Sequence, residues 1–280
     1  MIKSSSNIES NRPIGVFDSG VGGLTVVREL GRLLPNEKII YFGDTGRVPY
    51  GNKSKETIVN YSLQIAYFLM KKKIKMLVVA CNTASSFSIT SLKRHLHIPV
   101  IGVIEPGAKA AIDSTSNNHV GVIGTFGTVS SNAYKKALKN IYKGVTVSQQ
   151  SCSLFVQLAE DGWLNNKVAQ SVADEYLKVF KVKKDKKIDT LILGCTHYPM
   201  LKNVIQKSIG KEVCLIDSGK ETAKEVKKIL GNKKLLNIEG LNGKDSSIFY
   251  VSDFPHKFRE ISQRFLSKKL TRVHKVKLKN

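Results

Sequence analysis

Short apolar runs, each closing on a small or polar residue, recur along the chain at 14–17, 38–42, 76–80, 99–104, 120–124, 145–147, 190–194, 212–216 and 247–251. They are apolar throughout rather than alternating, which is the pattern of strands buried on both faces of a parallel sheet. Between them lie stretches with apolar residues at helical spacing: 24–34, 54–72, 85–95, 134–138, 154–161, 168–180, and a last one carrying Phe258, Ile261 and Phe265. The punctuation agrees with this. Ser54 with Glu56 and Thr57 marks a helix start, and Pro35-Asn36 and Pro49-Tyr50-Gly51 mark turns. Strand and helix in alternation predict an α/β fold, with parallel sheets covered by helices on both faces.

Two of the runs end alike. Met76-Leu77-Val78-Val79-Ala80 leads into Cys81-Asn82-Thr83, and Thr190-Leu191-Ile192-Leu193-Gly194 leads into Cys195-Thr196-His197. Open α/β sheets bind ligands outside the carboxyl ends of their strands, so thiols on two equivalent strand ends point to chemistry between them. Other strand ends repeat in the same way, Asp18 with Thr125 and Glu105 with Asp217. All three pairs are separated by about 110 residues, as an internal duplication requires. The remainder, 221–279, adds helices and one strand and is expected to pack back on a half already built. Gly20-Val21-Gly22-Gly23 opens a helix after the first strand, where free N–H groups would suit an anion. Its spacing is not that of a dinucleotide-binding turn.

A cysteine by itself is ordinarily a small buried hydrophobe, and Cys152 and Cys214 are read that way. Paired placement sets Cys81 and Cys195 apart. With His197 they could be zinc ligands, but no fourth ligand stands at local spacing, so no metal is expected. His95, His97, His119, His256 and His274 have no partners in sequence and are read as surface residues.

At 280 residues the chain is long enough for one large or two ordinary domains, and an apolar fraction of 41% excludes a mostly disordered protein. No stretch approaches the roughly 18 uninterrupted apolar residues of a membrane span. Residues 1–12 are polar and lack a signal segment, so they read as a loose extension on a cytoplasmic protein. Four cysteines without a C-x-x-C pair read as reduced thiols. The formal charge of +23 raises the question of nucleic acid. Only eight of the 45 basic residues are Arg, however, and Arg is the residue of specific phosphate and guanine contacts. The lysines cluster at 71–73, 183–187, 227–228 and 268–279, as on a solvated surface, and no nucleic-acid-binding motif accompanies them. A nucleic-acid partner is therefore not expected, whereas a positive field would draw in a small dianion.

Five motifs, in order, resemble bacterial glutamate racemase. They are Val16-Phe17-Asp18-Ser19-Gly20-Val21-Gly22-Gly23-Leu24, Asp44-Thr45-Gly46-Arg47-Val48-Pro49-Tyr50-Gly51, Val79-Ala80-Cys81-Asn82-Thr83-Ala84, Gly102-Val103-Ile104-Glu105-Pro106 and Leu193-Gly194-Cys195-Thr196-His197-Tyr198-Pro199. The likeness runs from about residue 14 to 266. It departs at Gly46, where Ala is frequent, and in the N-terminal extension and lysine tail. The resemblance implies two flavodoxin-like, doubly wound parallel-sheet domains related by a pseudo-twofold axis, with the active site in the cleft between them. It also implies that the chain crosses over twice. Residues 13–105 with 218–272 would form the first domain and 106–217 the second, leaving 1–12 and 273–280 as flexible ends.

The activity so implied is cofactor-independent interconversion of L- and D-glutamate, supplying D-glutamate for peptidoglycan. Racemisation needs a proton taken from one face of the α-carbon and another delivered to the opposite face. Cys81 and Cys195 match the two thiols that do this, Cys81 toward the D-enantiomer and Cys195 toward the L-enantiomer. Asp18 would assist Cys81, while His197 and Glu160, the latter in a segment resembling one that carries an auxiliary acid, would assist Cys195. Asp18, Ser19, Tyr50, Gly51, Asn82, Thr83, Thr196 and His197 match substrate-contacting positions. Taken alone, Tyr50 reads as a turn aromatic. Aspartate racemase, or another two-thiol racemase, is the alternative within the enzyme class. The oligomeric state is open, a homodimer included.

Overall fold

Every paired strand among the described residues runs parallel to its neighbour. The structure is a computed structural model and describes residues 9–181, 187–238, 247–270 and 272–278. The chain begins β1 (Ile14–Asp18), α1 (Leu24–Leu33), β2 (Ile39–Gly43), α2 (Lys55–Met70), β3 (Met76–Val79), α3 (Asn82–His95), β4 (Val100–Gly102) and α4 (Ile104–Ser114). It repeats the alternation in β5 (His119–Gly124), α5 (Phe126–Ser130), α6 (Ala133–Ile141), β6 (Thr146–Ser151), α7 (Leu154–Asp161), α8 (Lys167–Leu177), β7 (Thr190–Gly194), α9 (Lys202–Ile209), β8 (Cys214–Asp217) and α10 (Ser218–Asn232). Last come β9 (Ile248–Val251), α11 (Pro255–Leu266) and β10 (Val273–Lys275).

Two sheets result, in the orders β10-β9-β2-β1-β3-β4 and β6-β5-β7-β8. The core of the first, β2-β1-β3-β4, has the same order as the whole of the second, so the duplication legible in the strand ends is a duplication of topology. The two α/β domains built on these sheets are doubly wound. Alternate residues along a strand point to opposite faces, and each face has its own helices. Thus Met76, Val78 and Ala80 join one apolar cluster with Leu24 and Val26 of α1. Leu77, Val79 and Cys81 join another with Ile65 and Leu69 of α2. Each of the larger side chains (Leu, Ile, Val and Met) contributes about 1.5–3 kcal/mol by leaving water. The cluster containing Met76 continues through Cys195, Tyr198 and Phe155 of the second domain, so the seam between domains is itself apolar core.

Five expectations need correction. The end from residue 273 is not loose, because Val273–Lys275 forms β10 beside β9. Val273, Val276 and Leu278 pack against the core, and the backbone ladder and a Tyr250–His274 ring contact hold the strand with them. At the other end, residues 1–8 lie outside the described residues, but Ser10 is anchored: its carbonyl accepts a 2.6 Å hydrogen bond from the buried Lys75 Nζ. His119 is buried, with Nε2 3.0 Å from Ser148 Oγ. Cys214 is exposed, whereas Cys152 is buried as expected. The strand anticipated at 145–147 is β6, which runs to Ser151. It is a half-exposed edge strand of polar residues, so hydrophobic patterning does not reveal its length. Among the described residues no helix is long and apolar enough to cross a membrane.

Candidate active site

The carboxyl end of β1 places Asp18 in complete burial. Its Oδ2 accepts the Gly20 N–H at 2.9 Å, and the Gly23 N–H also bonds this carboxylate. The glycine turn therefore gives two of its N–H groups to Asp18. Oδ1 has no partner in the protein. Burial pushes the Asp18 carboxyl above its ordinary range, opposed by His197 and by the turn N–H groups.

Cys81 follows β3 and caps α3, its Sγ accepting the Ala84 N–H at 3.4 Å and lying 3.7 Å from Ser19 Oγ. Burial, reinforced by the charge of Asp18, pushes the Cys81 thiol up to about 12. Cys195 adds a smaller push in the same direction, so the two thiols are close enough to feel each other's charge. Next along α3, Asn82 Oδ1 accepts the Tyr134 hydroxyl at 2.8 Å, while its buried Nδ2 has no partner in the protein. Thr83 Oγ1 is 2.9 Å from Thr125 Oγ1 and 3.2 Å from Thr128 Oγ1, joining the first domain to the second.

On the opposite side, β7 delivers Cys195 with its Sγ 3.8 Å from His197 Nδ1. His197 Nε2 lies 2.9 Å from Glu160 Oε1, on α7. Burial opposes a charge on this imidazole, but Cys195 and Glu160 more than offset it and take His197 up to about 10. Phe265 of α11 meets the ring edge-on at 5.5 Å, and Arg264 beside it donates to the Glu160 carbonyl. The fit against the first domain is tight. A Cβ on Gly22 would come within 2.4 Å of both the His197 ring and Thr196 Oγ1, so only glycine allows this approach. Thr25 Oγ1 donates to the Thr196 carbonyl at 2.9 Å across the same seam.

The residues singled out in the sequence thus gather at one seam: Asp18, Ser19, Cys81, Asn82 and Thr83 on one side, Glu160, Cys195, Thr196 and His197 on the other. Gly51 approaches from the first domain, its Cα side facing Thr125. Tyr50 differs from expectation in one respect. It is buried and its hydroxyl donates to Asp44, which Arg47 Nε also holds at 2.7 Å, so that hydroxyl is committed inside its own domain. Patterning overlooked Thr125, Thr128, Tyr134 and Thr25. Thr125 carried a signal, as the counterpart of Asp18 in the duplication, but the others are polar residues on helices with no local motif. Among the described residues, no three His, Cys, Asp or Glu side chains form a group able to hold a metal ion.

Residues 14–226 match the family described as Asp/Glu/hydantoin racemase. The chain belongs to this racemase family. It is 52% identical to a glutamate racemase of Geobacter metallireducens over 267 residues, 95% of this chain and 97% of that one. Among solved structures it is similar to a glutamate racemase isoform from Bacillus anthracis, with a TM-score of 0.89, 39% identity and coverage of 96% and 98% of the two chains. It is also similar to the glutamate racemase of Francisella tularensis solved in complex with D-glutamate, with a TM-score of 0.87, 42% identity and the same coverage. The racemase fold so defined is the two-sheet α/β arrangement described above, with both thiols at its seam.

Proposed function

We propose that this chain interconverts L- and D-glutamate by two-thiol acid–base chemistry without a cofactor, supplying D-glutamate for peptidoglycan. One arrangement carries the reading: two thiols on matching strand ends, with an unpartnered buried carboxylate oxygen of Asp18 and an unpartnered buried amide nitrogen of Asn82 beside them. The first suits the ammonium of an amino acid and the second its carboxylate. High identity to glutamate racemases over nearly the full length supports glutamate as the amino acid.

In the L-to-D direction, Cys195 takes the α-proton as a thiolate held against the His197 imidazolium. Cys81, kept as a thiol by burial and by Asp18, delivers a proton to the opposite face. The reverse direction exchanges these roles. Glu160 stabilises the imidazolium through Nε2. Asn82, Thr83, Ser19 and Thr196 hold the α-carboxylate as negative charge builds, and Gly51 and the Tyr50 backbone border the side-chain end. Positioned acid–base groups contribute on the order of 10²–10⁴-fold, so the donors facing the developing carbanion must supply much of the remainder. In this reading the two bodies around the substrate are residues 13–105 with 218–272 and residues 106–217.

Incubation with glutamate and, separately, aspartate in heavy water without added cofactor tests the proposal. Deuterium at the α-carbon of glutamate, with loss of optical rotation, is the expected result. Exchange confined to aspartate would replace glutamate with aspartate as the substrate.

A further inference from the structure

Tyr134 stands at the seam between the two thiols. It lies on α6 of the second domain, fully buried, and its hydroxyl donates to Asn82 Oδ1 at 2.8 Å. Asn82 is the residue after Cys81. The tyrosine ring packs on Gly194, the residue before Cys195, so closely that a Cβ there would come within 3.0 Å of the ring. Ser218, where α10 begins, donates its hydroxyl to the Leu193 carbonyl on the same strand end at 3.2 Å. Tyr134 therefore touches the neighbours of both thiols.

A primary amide has an oxygen that only accepts and a nitrogen that only donates, and which of them faces a ligand depends on what holds the other. Tyr134 holds the oxygen. The nitrogen is left buried and unpartnered, an arrangement proteins keep where a ligand completes it. We infer that Tyr134 is a positioning residue for racemisation: its hydroxyl aims the Asn82 amide N–H groups at the substrate α-carboxylate, and its ring on Gly194 sets the spacing of the two thiol-bearing strand ends. The inference rests on the amino-acid racemase reading above.

A double-mutant cycle of Tyr134→Phe and Asn82→Ala, read as kcat/KM for both enantiomers, tests it. Phenylalanine keeps the ring on Gly194 and removes only the hydroxyl. Y134F is expected to lose about tenfold, the size of one hydrogen bond serving a charged ligand. N82A is expected to lose more, and the double variant no more than N82A alone, because Tyr134 acts through Asn82. Losses that multiply in the double variant, or a Y134F within twofold of wild type, overturn the inference. If Y134F fails to fold, Asn82→Asp takes its place: its side chain still accepts from Tyr134 but offers no donor. N82D is expected to fall at least as far as N82A, and full activity would overturn the inference. Wild-type protein that leaves the glutamate α-proton unexchanged overturns the functional reading itself, before any variant is compared.

Discussion

His197 Nε2 and Glu160 Oε1, from positions 37 apart in the chain, meet at 2.9 Å. The carboxylate settles one ring nitrogen, so the other, Nδ1, is turned to Cys195 Sγ at 3.8 Å. Opposite it, Cys81 has no imidazole and sits beside the Asp18 carboxylate. The two thiols are equivalent in topology and unlike in surroundings: one faces an imidazole, the other a buried carboxyl group.

Replacement of Glu160 by Gln removes one of the charges that hold the proton on His197. With that support gone, the imidazole deprotonates below its present value of about 10. The alkaline limb of kcat/KM is therefore expected to move to lower pH, with activity near pH 8 reduced about tenfold. Glu160→Asp, which keeps the charge, should restore part of the limb. A pH–rate profile of the three proteins checks this, and an unmoved limb in E160Q would remove Glu160 from the charge relay.

Loss of either thiol should stop racemisation while leaving the fold intact, since serine is close to cysteine in volume. Cys81→Ser and Cys195→Ser are each expected to reduce racemisation by at least 10²–10⁴-fold in both directions, the share of a positioned acid–base group. Polarimetry alongside circular dichroism separates loss of chemistry from loss of structure.

Asp18 is held in complete burial with one oxygen unpaired, which disfavours the folded protein when the carboxylate is charged. Asp18→Asn should therefore stabilise the protein at pH 7 by about 1–3 kcal/mol. The expected gain in Tm is about 2–4 °C per kcal/mol. Racemisation should fall steeply in the same variant. The carboxyl is raised above 3.8, so the folded state holds its proton more tightly than the unfolded state does. Wild type consequently gains relative stability as pH falls through that raised value, and the difference between the two proteins should close. Calorimetry from pH 7 downward measures it. A gap that widens on acidification would contradict the assignment.

Gly22 and Gly31 make a matched pair of glycines. A Cβ on Gly22 would strike His197 and Thr196 at 2.4 Å, whereas a Cβ on Gly31 meets nothing within 4 Å. Gly22→Ala is expected to displace His197 and cost at least 10²-fold in kcat/KM. Gly31→Ala, in the exposed interior of α1, should leave activity unchanged and add up to about 1 kcal/mol of stability. Melting curves and initial rates on both variants decide the matter.

The sequence by itself determined the α/β class, the duplication and the two thiols, because each is written locally. Buried parallel strands need unbroken apolar runs such as 76–80 and 190–194, and their ends must carry the chemistry. Family motifs then supplied Asp18, Asn82, Thr83, Thr196 and His197. Other features were decided only by the tertiary structure. The full length of β6 is held by a backbone ladder that side-chain pattern does not encode, and β10 is seated by a few apolar contacts in a lysine-rich tail. The burial of His119 and the exposure of Cys214 follow from sheet position rather than residue type. Tyr134 reaches Asn82 across a 52-residue separation, and Gly22 reaches His197 from the other domain. Such contacts depend on how two folded halves meet, and spacing along the chain carries no record of that.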